Sequence, residues 1–495
     1  MKHLLLSVGL AVCPTLSVTQ QPAPANLSLA DALALARAHN PLYRQALHDR
    51  APAGWAARNA WSSTFLPTLT ASGGLGYSGS GQQRFLTANF SQNVSTLSSN
   101  YGLFLDWALN GQTVTQIPLK HAQLSAADAD VAGAESNLIT GVTQQYLSVL
   151  QARDNADVAR KELDRNEQFL KLAQARYDVG RASLIDVRQA QVARGQAEVA
   201  LLRAETGLQL EKLRLFQQIG VTPPTDIATV QLTDTFAVQT PAWQLGDLLT
   251  MAEGQNPALK ALRAREGAAR WGVRAATGAY TPSVSVSASW SGFTQKLSDI
   301  NPTIAAAQAN AAANIAECQF ENDSVFARLN PPLTARNCSN LFAFTPQQAQ
   351  AIRDQNAAYP FNFTPQPFQA RLTVSIPLWG NFSQPLQVSQ AKAQQQDLEE
   401  SVRARGLQVH TEVSQAYLTV TTAYRTIAIQ DTNRTAAREQ LQLATERYRV
   451  GSGTFFELLD AQVAQLRAES DYVNAVYEYH KAVAALEAAV GRPLR

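Results

Sequence analysis

The chain repeats itself, and that constrains its fold more than any other feature. Arg176-Tyr177-Asp178-Val179-Gly180 returns as Arg447-Tyr448-Arg449-Val450-Gly451, an offset of 271 residues (447 minus 176). The same offset carries Ala190-Gln191-Val192-Ala193 onto Ala461-Gln462-Val463-Ala464, and Gly220 onto Gly491, without a gap. Earlier in the chain, Leu29-Ala30-Asp31 and Asn40-Pro41 match Leu245-Gly246-Asp247 and Asn256-Pro257, with Trp55 falling on Trp271; here the offset is 216 (245 minus 29). Two tandem halves follow, because fixed-period self-similarity marks repeated structural units. The change of offset places about 55 extra residues (271 minus 216) in the middle of the second half.

Each half reads in one order. A helical segment comes first, Leu27 to Trp61 and then Trp243 to Thr277. Strands follow at about 68–78 and 101–109 in the first half, and at about 283–292 and 369–378 in the second. They alternate apolar and polar residues, as in Ser283-Val284-Ser285-Val286-Ser287-Ala288-Ser289-Trp290-Ser291, the period of a strand with two unlike faces. A helical hairpin closes each half, over 113–220 and 383–490. Val142, Val149, Ala156, Leu163, Leu170 and Tyr177 recur every seven residues, a coiled-coil period. Gly180 and Gly451 stop the outgoing helices. Ser183 with Asp186, and Thr454 with Glu457, start the returning ones in the manner of capping boxes. Arg176 and Arg447 are expected to hold the turn carbonyls.

The domains expected are therefore 26–220, a linker at 221–242, and 243–495, with an extended loop at 293–368. Residues 1–25 read as an export signal: Leu4 to Val12 are mostly apolar, and Ala23-Pro24-Ala25 is a small-x-small cleavage site. Lipidation at Cys13 is the rival reading, opposed by Val12 and Pro14 on either side of it.

Composition excludes more than it selects. Charged residues are 16% and the net charge is +2, too little positive charge to coat a phosphate backbone, so no nucleic acid is expected. No stretch approaches the roughly 18 consecutive apolar residues of a membrane helix. The six histidines are scattered, and there is no His-Glu-x-x-His, Gly-x-Ser-x-Gly or P-loop. Hence no enzyme and no cofactor is expected, and any energy must come from a partner.

Four alternating strands match the length of tilted membrane strands. Tyr101, Trp107, Trp290 and Trp379 stand at or near their ends, as interface aromatics do. Four strands cannot close a barrel, and lipid does not tolerate open edges. Several chains must therefore complete one barrel, twelve strands if there are three.

These features resemble the TolC-type outer-membrane efflux and secretion channels. The paired halves carry the resemblance, with the Arg-Tyr-x-Val-Gly hairpins, Leu458-Leu459-Asp460-Ala461 and Ile376-Pro377-Leu378-Trp379-Gly380. It implies an α+β membrane protein: a homotrimer with a twelve-stranded β-barrel in the outer membrane, set in lipid and continued by an α-helical coiled-coil barrel in the periplasm. It also implies a periplasmic adaptor and an inner-membrane pump as partners. By motif, Tyr448 matches the family's tip tyrosine, Glu457 and Asp460 its two acidic ring positions, and Asp186 the acidic residue of the first hairpin. Two departures stand out. The family's linking arginine is Gly453 here, and Ile185 replaces a polar residue, so closed-state links would fall to other groups such as Arg181 or Arg449. The alternative function is a periplasmic coiled-coil adaptor without a pore, against which the duplicated hairpins and the strands argue.

From the residues alone, Glu457 and Asp460 lie three apart on one helix face. Repeated by threefold symmetry they would form a ring of carboxylates that attracts cations. Capping near a helix N-terminus is the simpler role for the same acids. Cys318 and Cys338, both in the extra segment, are expected to form a disulfide across an outward-facing loop.

Overall fold

The computed structural model describes residues 26–494 except 86, 87, 93 and 332. The expected export signal and Cys13 lie outside the described residues. In chain order the elements are β1 (Asn26–Leu27), α1 (Leu29–His39), α2 (Pro41–Phe65), β2 (Thr68–Ser78), β3 (Gly81–Phe85), β4 (Ala88–Gln92), β5 (Thr96–Leu109), α3 (Gly111–Asp178) and α4 (Leu184–Ile219). Then come β6 (Gln231–Leu232), α5 (Leu245–Gln255), α6 (Pro257–Thr277), β7 (Ser283–Leu297), α7 (Asn301–Ser324), α8 (Cys338–Phe342) and α9 (Pro346–Ala357). The chain ends with β8 (Thr364–Pro365), β9 (Gln369–Ser375), α10 (Ser383–Val450) and α11 (Phe455–Val490). The fold is mostly helical, with a smaller strand content.

Two compact units emerge among the described residues, and each draws on both halves of the sequence: 26–57, 118–273 and 388–494 form one, 58–117 and 274–387 the other. The halves are not separate bodies because strands from both share one sheet.

In the helical unit, α3 and α10 are each 68 residues long, and α4 and α11 are each 36. Two apolar cores correspond across the offsets. Leu138, Val142, Val149, Leu215 and Ile219 pack in one; Val409, Val413, Val420, Leu486 and Val490 pack in the other. A third core near the hairpin turns gathers Ala173, Val187, Ala190, Tyr448, Phe455, Leu458 and Ala461.

The expected single opening helix of each half is broken at Asn40-Pro41 and at Asn256-Pro257, because proline removes a donor and restrains the residue before it. Each asparagine serves the break. Asn40 donates to the Gln218 carbonyl at 2.7 Å and accepts from the Tyr43 N–H at 3.0 Å. Asn256 repeats this with the Ala489 carbonyl at 2.9 Å and the Leu259 N–H at 3.1 Å. The linker is not featureless either: β6 pairs in parallel with β1, Leu27 opposite Leu232.

In the strand unit, the sheet runs β2-β5-β7-β9 with antiparallel neighbours, and β8 pairs with β7 at Gly292 and Phe293. β2 has the expected bounds. β5 begins earlier than expected, at Thr96, and β7 ends later, at Leu297, since each continues to pair with the other. β9 is shorter than expected and stops at Ser375, two residues before Pro377, which has no N–H to give a ladder. α3 begins at Gly111 and accommodates Pro118.

Register sorts the residues by face. Leu69 faces Leu105, which faces Ala288, which faces Ala370; Leu103 faces Trp290; and Trp107 faces Val286, which faces Leu372. Side chains alternate along each strand, so these residues form one apolar face across four strands. Thr70, Ser287, Arg371 and Thr373 lie on the other. Tyr101 sits edge-on to Trp290 at 6.3 Å and to Phe363 at 4.8 Å.

The expected loop at 293–368 is ordered for much of its length, holding the end of β7 and helices α7, α8 and α9. Asn356 ties its return to β7, accepting from the Leu297 N–H at 2.7 Å and donating to the Leu297 carbonyl at 3.1 Å.

Candidate functional site

The hairpin turns are built alike. Gly180 and Gly451 sit at φ +71° and +91°, a left-handed conformation that costs glycine little. The Gly180 N–H donates to the Tyr177 carbonyl at 2.9 Å, and the Gly451 N–H to the Tyr448 carbonyl at 3.1 Å. The arginine before each tyrosine reaches forward to the carbonyl five residues on: Arg176 to Arg181 at 3.1 Å, Arg447 to Ser452 at 3.4 Å. Each arginine thus donates to a carbonyl of its own turn.

Their second arms differ. Arg176 crosses to the other hairpin, donating to the Tyr448 carbonyl with its guanidinium 4.4 Å from the centre of the Tyr448 ring. Arg447 stays in its own hairpin and pairs with Glu457 at 3.2 Å. That Arg176 spans two hairpins was not legible from its spacing, which records only the local turn.

Tyr448 is buried, packed against Phe455 at 5.5 Å, and its hydroxyl has no hydrogen-bond partner among the described residues. Burial pushes its phenol up, the charge of Asp186 adds to that, and Arg176 opposes it. The tyrosine therefore sits inside its own chain, with its ring face and backbone carbonyl engaged rather than its hydroxyl.

The three acids have different surroundings. Asp186 closes a reciprocal box, its amide donating to the Ser183 hydroxyl at 3.3 Å and its carboxylate accepting from the Ser183 N–H at 3.3 Å. Glu457 gives only its amide to Thr454, at 3.2 Å, leaving its carboxylate for Arg447. Glu457 and Asp460 are both exposed on α11. Among the described residues, no group of three His, Cys, Asp or Glu side chains is placed to hold a metal ion.

Gly453 has a local reason. A Cβ there would lie 3.0 Å from the Arg447 Cβ and 3.2 Å from the Tyr448 amide nitrogen, so the tight turn favours glycine. Ile185 is exposed and lines an open apolar groove of about 590 Å³ between α4 and α11, with Leu184, Val192, Phe456, Leu459 and Val463. Apolar residues in the exposed first turns of α4 and α11 were the available signal for that groove.

In the strand unit, Cys318 and Cys338 are joined, with Cα atoms 5.7 Å apart. Asn322 braces the staple by donating to the Arg336 carbonyl at 2.8 Å and accepting from its amide at 3.0 Å.

The outer membrane efflux protein family model matches residues 32–221 and 294–492, most of the chain and both hairpins. The chain belongs to that family. The resemblance carried by the hairpin motifs and the outer-membrane location it implied both stand. Outer membrane efflux protein BepC of Brucella suis is 26% identical over 178 residues, 36% of this chain and 38% of that protein. Pyoverdine export outer membrane protein OpmQ of Pseudomonas aeruginosa is 38% identical over 66 residues, 13% of this chain and 14% of that protein. The aligned stretches thus span well under two thirds of either relative.

Solved structures extend the likeness in fold. The outer-membrane channel OprN superposes with a TM-score of 0.68 at 18% identity, covering 94% of this chain and 89% of OprN. Outer membrane protein VceC of Vibrio cholerae gives 0.67 at 17%, covering 94% and 97%. The open-state MtrE channel of Neisseria gonorrhoeae gives 0.65 at 17%, covering 94% and 89%.

Proposed function

We propose that this chain is the passive outer-membrane exit duct of a tripartite efflux pump or type I secretion system, conducting small molecules or proteins. The apolar face of the four-stranded sheet carries the reading. Leu69, Leu372 and Val374 on that face are exposed in the single chain, while among the described residues β2 and β9 each pair on one side only. A face of this kind suits lipid, and open edges do not. Three copies, β2 of one pairing with β9 of the next, would close twelve strands with the Ser- and Thr-rich face toward water. Among the described residues no helix is long and apolar enough to cross a membrane, so in this reading the strands do so.

The helices support several copies as well. Val192, Val199 and Leu202 on α4, and Leu407, Leu418 and Ile429 on α10, are exposed in one chain. Neighbouring copies would cover them in a periplasmic helical barrel built from two tandem repeats. The chain performs no chemistry, and an inner-membrane pump drives the cargo. A periplasmic adaptor joins the two at the hairpin turns, where Asp186, Tyr448, Glu457 and Asp460 form the aperture. The disulfide loop faces outward.

Planar-bilayer recording tests the reading. Purified protein is expected to conduct, to be trimeric by light scattering in mild detergent, and to be blocked by divalent cations from the helical side. Glu457→Gln with Asp460→Asn is expected to weaken that block without loosening the trimer. Absence of conductance would instead favour the pore-less adaptor. Identical block in wild type and double variant would remove the acids from the aperture.

A further inference from the structure

Arg176 and Arg447 occupy equivalent positions, yet Arg176 reaches the other hairpin while Arg447 pairs within its own. Each spends one arm on the carbonyl five residues on. Arg176 spends the other on Tyr448 of the second hairpin, lying over its ring and donating to its carbonyl. The equivalent acceptor for Arg447 is Tyr177, since the 271-residue offset maps Arg176-Tyr177 onto Arg447-Tyr448. Among the described residues of one chain that second joint is not made. Tyr177 is 40% exposed where Tyr448 is 3% exposed, and Arg447 rests instead on Glu457.

We propose that Arg447 of one copy docks on Tyr177 of the next, forming between copies the joint that Arg176 and Tyr448 form within one. This rests on the reading that copies assemble about an axis, with the hairpins alternating first, second, first, second. The relation of hairpin one to hairpin two inside a chain then recurs, approximately, between hairpin two and hairpin one of the neighbour.

The chemistry is already present at both ends. The Tyr177 carbonyl accepts from the Gly180 N–H, as the Tyr448 carbonyl accepts from Gly451, and a carbonyl has a second lone pair to offer. The Tyr177 ring offers its face to a guanidinium. Arg447 changes only one arm, leaving Glu457 and keeping Ser452. Glu457 can lose that partner at small cost because the pair is exposed. Closing the joint therefore releases one carboxylate per copy at the turn, coupling the seating of neighbours to the charge at the aperture.

Tyr448 shows which part of the tyrosine matters. Its hydroxyl makes no hydrogen bond among the described residues, whereas its ring and carbonyl hold Arg176. Phenylalanine should therefore substitute for tyrosine at 177, and leucine should not.

Thiol cross-linking of the full-length protein in outer membranes tests the joint. Arg447→Cys and Tyr177→Cys, placed in one chain, are treated with a short bismaleimide and resolved under denaturing conditions. Covalent dimers and trimers are expected, and each single variant should remain monomeric. Co-expressing the two single variants should give a covalent dimer and nothing larger. Arg176→Cys with Tyr448→Cys should link within the chain and run as a monomer.

A second measurement does not depend on cysteine replacement. Arg447→Ala and Tyr177→Leu should each lower the temperature at which trimers dissociate in detergent. Their combination should lower it no further than the larger single effect, and Tyr177→Phe should leave it unchanged. Trimers whose Arg447 and Tyr177 cysteines link only within a chain, or not at all, overturn the joint and leave the duct reading standing. So do fully additive shifts. A monomer by light scattering in mild detergent overturns both.

Discussion

Gly220 and Asn40 meet with no room between them. A Cβ on Gly220 would lie 2.9 Å from the Asn40 Cα and 2.8 Å from the His39 carbonyl oxygen. The contact recurs at the far end of the chain, where a Cβ on Gly491 would lie 3.0 Å from the Asn256 Cα and 2.6 Å from the Gln255 carbonyl oxygen. Both glycines are left-handed, at φ +86° and +88°. Each ends the returning helix of a hairpin at the point where an asparagine clamps its last carbonyls.

Gly220→Ala and Gly491→Ala are therefore expected to destabilise the fold by about 1–3 kcal/mol each, from left-handed strain and displaced backbone. Gly195→Ala, on α4 with open space around the added Cβ, is expected to be neutral or stabilising by up to about 1 kcal/mol. Thermal unfolding followed by circular dichroism measures all three. Equal midpoints for Gly220→Ala and Gly195→Ala would show that the contact carries no weight.

The two faces of the sheet should respond oppositely to one charge. Val286→Arg and Leu372→Arg place a guanidinium on the apolar face, and should cost about 2–4 kcal/mol if that face meets the bilayer midplane. Ser287→Arg and Thr373→Arg lie on the polar face and should assemble normally while altering ion selectivity. Yield of heat-modifiable trimers from membranes, with bilayer recording of those that form, separates the cases. Equal yields for both faces would contradict the assignment.

Glu162 gives an unusual pH signature. Burial raises its carboxyl pKa, against the opposing influence of Arg165 and of its hydrogen bond to Asn166. A raised carboxyl binds more protons in the folded than in the unfolded state, so stability falls as pH rises from the unfolded value through the folded one. Glu162→Gln should therefore raise the unfolding midpoint at neutral pH. Its advantage should shrink as pH drops through the carboxylate range and vanish below the unfolded value. A difference independent of pH would mean that ionisation of Glu162 is not the cause.

Reducing the Cys318–Cys338 bond should act locally. It closes a 20-residue separation, for which chain entropy gives about 3 kcal/mol. Limited proteolysis after reduction should cut between α7 and α9 while the long helices remain intact. Two alkylatable thiols per chain at these positions before any reductant is added would refute the bond.

Much of this protein was written in its sequence, because repetition and periodicity are local and additive. The heptad through Val142, Val149 and Ala156 marked α3, and glycines 180 and 451 marked where the helices turn. Strict alternation at Ser283–Ser291 marked a two-faced strand, and 68–78 carried its bounds on its face. The acids at 186 and 457 announced their capping positions three residues after a hydroxyl.

Other features belong to tertiary structure because they depend on which residues become neighbours. Equivalent cap acids diverged: Asp186 closed its box, whereas Glu457 turned to Arg447. Identical Arg-Tyr pairs diverged as well, since Arg176 turns to the other hairpin of its chain whereas Arg447 turns to Glu457 in its own. The ends of β5 and β7 moved outward because a strand continues as long as a partner supplies donors and acceptors. Gly453 stands in a turn whose crowding is visible only once the Arg447 side chain is in place. The sequence determined the elements and their duplication; packing alone decided what each copy of a repeated residue touches, because one residue pattern placed beside different neighbours makes different contacts.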